Sequence, residues 1–224
     1  MMLDPLYIMF AIPGLLLGLY ATWKTKHTFK RYSQYAASSR LTGAQAARRL
    51  LDRNNLQDVG IEPSRGFLSD HYDPRTRTLR LSPDVYQSPS LAAIGVACHE
   101  AGHAIQHAQQ YAPLQLRSAL VPVTQLSTNL VYFVFFAGWF MNLPALMNAA
   151  ILMFTAVVVF TLVTLPVEWD ASARAKRLMV ATGIVSEREQ ADAGRVLNAA
   201  FLTYVSALVS SVLTLLYFIM RARR

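Results

Sequence analysis

Residues 118–167 read SALVPVTQLSTNLVYFVFFAGWFMNLPALMNAAILMFTAVVVFTLVTLPV and contain no Asp, Glu, Lys, Arg or His. One helical pass through a bilayer needs about 20 such residues, so this stretch is long enough for two passes. Asn142, Leu143 and Pro144 supply turn chemistry near its middle. The stretch therefore predicts two membrane helices joined by a tight turn, at 118–140 and 145–167.

Two further stretches lack charge, one near each end of the chain. Residues 5–23 and 197–220 are each long enough for a single pass, which brings the expected number of transmembrane helices to four. A cleaved signal peptide is the alternative for the first stretch. No basic segment precedes it and no small-residue cleavage site is clear, so a membrane helix is the favoured interpretation.

The composition of the chain excludes several classes of protein. Of its 224 residues 54% are apolar and only 15% are charged, which is incompatible with a disordered chain. The single cysteine, Cys98, excludes a module held together by internal disulfides, and core packing is its default role. The net charge of +8 is concentrated beside the apolar stretches, and no nucleic-acid-binding module is visible. Nucleic acid is therefore not an expected partner, whereas the lipid bilayer is.

The basic residues also predict the orientation of the chain. Four of them follow the first predicted membrane helix and three follow the third, at 145–167, namely Lys24, Lys26, Lys30, Arg31, Arg174, Lys176 and Arg177. By the positive-inside rule the polar segments 24–117 and 168–195 are expected in the cytoplasm, in a bacterial plasma (inner) membrane. Arg221, Arg223 and Arg224 disagree, because a fourth pass would place them outside.

The larger polar segment, 24–117, predicts a mixed α+β unit. A helix is expected over 41–54 with Thr42 as its N-cap, and strands are expected over 66–69 and 76–82. Residues 70–75 are rich in turn formers, so the two strands are expected to form a β-hairpin. A further helix is expected from Ser88 and Pro89 to about Gln110.

That last helix contains the sequence HEAGH at 99–103, a match to H-E-x-x-H. Residues four apart lie on one face of an α-helix, so His99 and His103 can bind one Zn²⁺ while Glu100 reaches a water on the metal. Incidental histidines on a polar helix are the alternative, but the apolar run at 91–97 favours a buried helix that carries a metal.

A zinc protease needs a third protein ligand. His107 continues the same helix face, but three ligands in line cannot surround an ion, so His107 is not favoured as the third ligand. The metzincin pattern would require a histidine at position 109, where this chain has Gln109, so that class is excluded. Glu168 and Asp170, which follow the third predicted membrane helix at 145–167, are better placed. Glu168 is the favoured ligand, and Asp170 is either a ligand or a hydrogen-bond partner of a ligand; capping of the following helix is the alternative role for both.

The chain resembles the YugP-like family of membrane zinc metallopeptidases and, more distantly, the HtpX-like membrane proteases. The likeness covers nearly the whole chain, including residues 69–75, residues 79–82, the 99–103 motif and residues 166–172. It implies a zincin-like fold and peptide hydrolysis. In the HtpX-like relatives the third ligand is the glutamate of E-x-x-x-D, which Glu168 matches, but Ser172 stands at the aspartate position.

The sequence as a whole thus predicts a mainly α membrane protein with about four transmembrane helices and a zincin-like α+β catalytic domain that carries a short β-hairpin. The expected function is that of a zinc-dependent endopeptidase, in which zinc activates a water and Glu100 is the general base. An edge strand of the 66–82 hairpin could hold an extended substrate, and Tyr86 or His71 could stabilise the oxyanion.

The different-class alternative is a membrane scaffold or adaptor whose metal site is structural or non-catalytic, but such a site has no need of Glu100. An intramembrane protease is disfavoured because the motif precedes the apolar stretch that begins at Ser118. The expected partners are a peptide or membrane-protein substrate, with other membrane proteins or a second copy of the chain also compatible with the sequence.

Overall fold

The computed structural model of the protein describes residues 4–66 and 69–223, which form seven helices and three short strands. In chain order these are α1 (Pro5–Tyr32), α2 (Gly43–Asp52), β1 (Gly60–Pro63), β2 (His71–Asp73), β3 (Thr78–Leu81), α3 (Pro83–Tyr86), α4 (Leu91–Ala108), α5 (Ala112–Phe140), α6 (Pro144–Ala181) and α7 (Glu187–Ala222). The protein is therefore mainly helical, as the sequence predicts.

Four of the helices, α1, α5, α6 and α7, are long and apolar enough to cross a membrane. Each contains one of the four predicted spans. Large apolar side chains on these helices are exposed, among them Phe133 at 77%, Phe140 at 78% and Leu152 at 74%. Such exposure is unfavourable in water and ordinary in lipid, which supports a membrane protein.

The chain divides into two compact units. The first comprises the residues up to Thr22, Ala112–Pro166 and the residues from Leu202 onwards. Its core is a cluster of aromatic and aliphatic side chains in which the Phe135 and Phe218 rings stack with centroids 4.0 Å apart. The second unit comprises Trp23–Tyr111 and Val167–Phe201, so both predicted polar segments contribute to it.

In the second unit, α2 begins with a complete capping box. The Thr42 hydroxyl accepts a hydrogen bond from the Gln45 backbone, and the Gln45 side chain accepts one from the Thr42 backbone. The apolar face of α2 is fully buried, mainly against α4 and to a smaller extent against α3, through Ala46, Ala47, Leu50 and Leu51. The helix predicted around Thr42 is thereby confirmed.

The sheet contains the predicted hairpin, with one strand displaced. β3 is the central strand and pairs in parallel with β1 and in antiparallel with β2. Its partner in the hairpin is therefore His71–Asp73 rather than 66–69, of which Phe67 and Leu68 lie outside the described residues. The turn lies after Asp73, whose carboxylate accepts hydrogen bonds from the Arg75 backbone and the Thr76 hydroxyl.

Helix α4 carries the H-E-x-x-H motif through the centre of this unit. It begins at Leu91 with Ser90 as its cap, two residues later than predicted, because the Ser90 hydroxyl accepts from the Ala93 backbone while Ser88 donates to that same hydroxyl. Nearly every side chain from Leu91 to Gln106 is buried. A helix enclosed in this way holds its histidines in fixed positions.

A candidate metal centre

His99 and His103 lie one turn apart on α4, with their ring centroids 4.8 Å apart and the rings nearly perpendicular. Both side chains are largely buried. The helical spacing therefore directs two imidazoles towards one point.

Glu168, on α6, reaches the same point from another helix. Its Oε2 lies 3.2 Å from Nε2 of His99 and 3.5 Å from Nε2 of His103. Ligand atoms held 2.0–2.1 Å from one zinc ion in a tetrahedron lie roughly 3.3 Å apart. These three side chains form the one potential metal-binding cluster among the described residues, and both their spacing and their donor atoms fit zinc.

Each histidine has a hydrogen-bond partner at Nδ1, on the side of the ring away from Glu168. The Nδ1 of His99 lies 3.1 Å from the Ser172 hydroxyl. The Nδ1 of His103 lies 2.9 Å from Oε1 of Gln106. The Gln106 amide nitrogen is engaged elsewhere, so Oε1 must accept and His103 must carry its proton on Nδ1. The Nε2 atom of His103 is thereby left free to bind a metal.

Gln106 is completely buried and connects the two helices of the site. Its amide nitrogen donates to the Val167 carbonyl and to the Asp170 carboxylate, each at 2.8 Å. Arg174 also donates to Asp170. Asp170 thus acts on His103 through Gln106, and the expectation that it holds a ligand histidine directly is wrong.

Ser172, which departs from the aspartate of the HtpX-like pattern, nevertheless has a defined place. It is the residue that contacts Nδ1 of His99, and it is buried. A hydroxyl can accept the ring N–H as a carboxylate would, without adding a second negative charge beside Glu168. The outer contacts of the two histidines are therefore made by Ser172 and Gln106.

His107 points to a different partner. Its Nδ1 lies 2.9 Å from the Tyr72 hydroxyl, and the two rings pack with centroids 5.8 Å apart. This contact ties the end of α4 to strand β2, and His107 does not join the cluster of potential metal ligands.

Helices α4 and α6 approach closely at Gly102, inside the motif. A Cβ atom added there would lie 2.8 Å from the Ala171 carbonyl oxygen and 3.3 Å from the Ala171 Cα, both of which are backbone atoms. Only glycine allows this approach. Because Ala171 is three residues from Glu168, the contact sets how near the carboxylate comes to the histidines.

Glu100 is buried, with 9% of its surface exposed. Within residues 4–66 and 69–223 its carboxylate has no hydrogen-bond or ion-pair partner. Its negative charge nevertheless acts on Asp70, whose carboxyl accepts hydrogen bonds from the Ser82 backbone and hydroxyl. Burial raises the pKa of Asp70 above its usual value, and the charge on Glu100 adds to the rise.

The remaining residues singled out in the sequence lie in ordinary surroundings. His71 is exposed on β2, with its Nδ1 2.8 Å from the Ser69 carbonyl oxygen. Tyr86 ends α3 and packs against the core of the unit. Cys98 is fully buried, which raises the pKa of its thiol well above the usual value and makes it unreactive.

A family model described as "Putative neutral zinc metallopeptidase" matches residues 7–223. The chain belongs to this family. A relative named "Putative membrane protease YugP", from Bacillus subtilis (strain 168), is 45% identical over 215 residues, which cover 96% of each chain. No solved structure matches the chain. The resemblance to the YugP-like family is thus confirmed, together with zinc as the metal of the family, while a zincin-like fold stays a prediction.

Sequence reasoning missed two residues of the site, Gln106 and Ser172. A signal for Gln106 was present, because it lies three residues after His103 on the same helix face. Ser172 was noted only as a departure from a pattern. Its distance from His99 depends on the packing of α4 against α6, which sequence spacing does not contain.

Proposed function

We propose that this zinc metallopeptidase is a membrane-embedded endopeptidase in which His99, His103 and Glu168 bind zinc and Glu100 is the general base. The observation that carries the proposal is the contrast between two buried carboxylates. Glu168 is held by both histidines, whereas Glu100 has no partner among the described residues. A structural metal site needs only the first, so the second is available for proton transfer.

When bound, zinc lowers the pKa of a water molecule and polarises the carbonyl of a peptide bond. The Glu100 carboxylate accepts a proton from the attacking water and passes it to the nitrogen of the leaving amine. Ser172 and Gln106 keep the two histidine rings oriented through their Nδ1 atoms, so that both Nε2 atoms face the same point.

Strand β2 supplies a route for substrate binding. It pairs with β3 along one edge and lies last in the order β1-β3-β2, so within the described sheet its other edge is free. The contact between Tyr72 and His107 fixes this strand to α4. An extended peptide can add to the free edge through main-chain hydrogen bonds. The expected substrate is therefore a short unfolded segment of a protein.

We place the site on the cytoplasmic side of the membrane. The support is the run of basic residues at the end of α1, from Lys24 to Arg31, which the positive-inside rule assigns to the cytoplasm. Substrates on that side would be peptides or the cytoplasmic segments of membrane proteins.

The test is the substitution Glu100→Gln, which keeps the size of the side chain but cannot accept a proton at neutral pH. Zinc content, measured on detergent-purified protein, should stay at about one ion per chain, while cleavage of a quenched fluorescent peptide library should fall at least ~100-fold. Glu187→Gln, at an exposed position in the first turn of α7, is the matched control and should cleave as the wild type does.

The two competing interpretations are separated by the same measurements. If the wild type holds zinc and cleaves no peptide or membrane-protein substrate, the scaffold or adaptor function is favoured. If Glu100→Gln cleaves at the wild-type rate, another residue is the base.

The ligand assignment is tested by zinc titration of Glu168→Ala, Asp170→Ala and His107→Ala. The first should lose the metal most severely, because it removes a ligand atom. The second should weaken binding through Gln106, and the third should largely retain it, because His107 contacts Tyr72 instead. Wild-type affinity in Glu168→Ala would refute the assignment.

A further inference from the structure

A pocket of about 630 Å³ lies in the second unit, between the end of α1 and the segment that joins β3 to α4. Its volume falls within the roughly 300–1,000 Å³ of small-molecule sites. It is lined by Lys26, Phe29, Lys30, Ser33, Pro83, Asp84, Gln87 and Ser88. None of these residues contributes to the metal centre.

The two lysines give the pocket an unbalanced positive charge. Lys26 and Lys30 lie four residues apart, on one face of α1, with buried Phe29 beside them. Across residues 4–66 and 69–223 neither ammonium forms an ion pair. Asp84 carries the one negative charge in the lining, so the pocket has a net charge of +1 and suits an anion.

The polar groups of the lining match a ligand that contains both a phosphate group and alcohol hydroxyl groups. The two ammonium groups and the amide nitrogen of Gln87 can donate to phosphate oxygens. The Ser33 hydroxyl already donates to the Phe29 carbonyl, at 2.8 Å, so towards a ligand it can only accept. The Asp84 carboxylate also only accepts. Donors for a phosphate and acceptors for hydroxyl groups thus line one cavity.

The position of the pocket along α1 suggests where its ligand comes from. Trp23, with 60% of its surface exposed, ends the predicted span and is a residue type that favours the headgroup region. At 1.5 Å per residue, Lys26 lies about 4.5 Å and Lys30 about 10 Å beyond Trp23 along the helix axis. The headgroup layer is roughly 5–7 Å thick on each side of the bilayer, so Lys26 lies within it. The Lys30 backbone lies a few ångströms beyond the layer, but its long side chain is directed towards the N-terminus of the helix and can reach back to the lipid phosphates.

We propose that this pocket binds the headgroup of an anionic phospholipid, with its phosphodiester at Lys26 and Lys30 and the hydroxyls of a glycerol-type headgroup at Ser33 and Asp84. A zwitterionic phosphoethanolamine would offer Asp84 an ammonium group, but its zero net charge leaves the second lysine uncompensated. The single negative charge of a phosphatidylglycerol-type headgroup balances the pocket.

The experiment uses the full chain in detergent and measures binding of short-chain phosphatidylglycerol by native mass spectrometry, with short-chain phosphatidylcholine and inorganic phosphate as comparison ligands. The wild type should bind phosphatidylglycerol in preference to both. The double variant Lys26→Gln/Lys30→Gln should bind it roughly 30-fold more weakly, the change expected from two lysine–headgroup attractions. Lys26→Arg/Lys30→Arg, which keeps the charge, should retain most of the affinity.

Two further variants make the test specific to the pocket. Lys24→Gln/Arg31→Gln removes the same charge from the same end of α1 at residues outside the lining, and it should change the affinity less than threefold. Asp84→Asn removes the opposing charge and should strengthen binding. If Lys26→Gln/Lys30→Gln and Lys24→Gln/Arg31→Gln lose the same affinity, the lipid is attracted by the general positive charge of this end of α1 and not by the pocket. Weaker binding in Asp84→Asn would indicate a zwitterionic headgroup, and equally tight binding of inorganic phosphate would indicate a free-phosphate site; each result overturns the proposal.

Discussion

Substitution of Gly102 by alanine should separate zinc binding from folding. The new Cβ would lie 2.8 Å from the Ala171 carbonyl oxygen, whereas ordinary contacts begin at 3.4 Å. Helix α6 must therefore recede by about 0.6 Å, because the atoms in contact belong to its backbone and cannot rotate away. Zinc–ligand distances tolerate about 0.2 Å, so the proposed ligand Glu168, three residues from Ala171, would no longer reach the ion in good geometry.

The expected result is a fall in zinc affinity of at least ~10-fold with little loss of stability. Overpacking costs about 1–3 kcal/mol. Alanine regains about 1 kcal/mol of helix propensity relative to glycine, so the net loss of unfolding free energy should be within ~2 kcal/mol. The assay is titration with zinc in a competing chelator, with thermal unfolding of the metal-free protein measured in parallel.

Gly194→Ala is the matched control. It introduces the same side chain at another buried helical glycine, but the nearest atom to the new Cβ is the Cδ of Lys176, part of a flexible side chain, at 3.2 Å. This variant should keep wild-type zinc affinity. If Gly102→Ala also binds zinc as the wild type does, the close approach at Ala171 is not what positions Glu168, and the reasoning fails.

Three further predictions concern the surroundings of the metal. Gln106→Leu removes a hydrogen bond to the Val167 carbonyl and leaves the ring N–H of His103 without its partner, so it should weaken zinc binding by about 10–100-fold. Gln115→Leu, at an exposed position of α5, should not weaken it, and equal effects would refute the role of Gln106. Ser172→Ala should lower zinc affinity and Ser172→Asp should restore it, as judged by the same titration. Because Cys98 is buried and its thiol pKa is raised, the native wild type should not react with a maleimide at neutral pH and gives no background labelling. A cysteine introduced at 40–60, which is expected in the cytoplasm, should then not be labelled by an impermeant maleimide on intact cells. Ready labelling there would invert the predicted topology.

The local pattern of the sequence was sufficient where one element determines the outcome. The spacing of His99 and His103 requires only a helix, and the four apolar stretches require only length and the absence of charge. The choice of Glu168 was also possible, because the chain must return to the site after the two apolar stretches at 118–140 and 145–167. In the structure Glu168 lies beside both histidines, and its role as a zinc ligand stays a prediction.

Local pattern was insufficient where two elements meet. The first strand of the hairpin lies later than predicted because residues 70–75 contain both turn formers and the strand itself. The hydrogen bonds that the Asp73 carboxylate accepts from Arg75 and Thr76 place the turn after residue 73 and leave His71–Asp73 as strand. The four-residue strand β1, which ends in a proline, carries no alternation from which to predict it. Asp170 was assigned to a histidine because Gln106, which lies between them, can be placed there only after α4 and α6 are packed.

The order in which the proposed ligands occur along the chain has a consequence for biosynthesis. His99 and Glu168 are 69 residues apart, and the uncharged stretch 118–167 occupies most of that interval. At a translation rate of 5–20 residues per second, the histidines leave the ribosome about 3–14 s before the carboxylate that completes their site. A nascent chain halted anywhere in this interval therefore carries the proposed base but lacks a complete set of metal ligands. With the proposed ligands, the order of synthesis would delay proteolytic activity until Glu168 has been made.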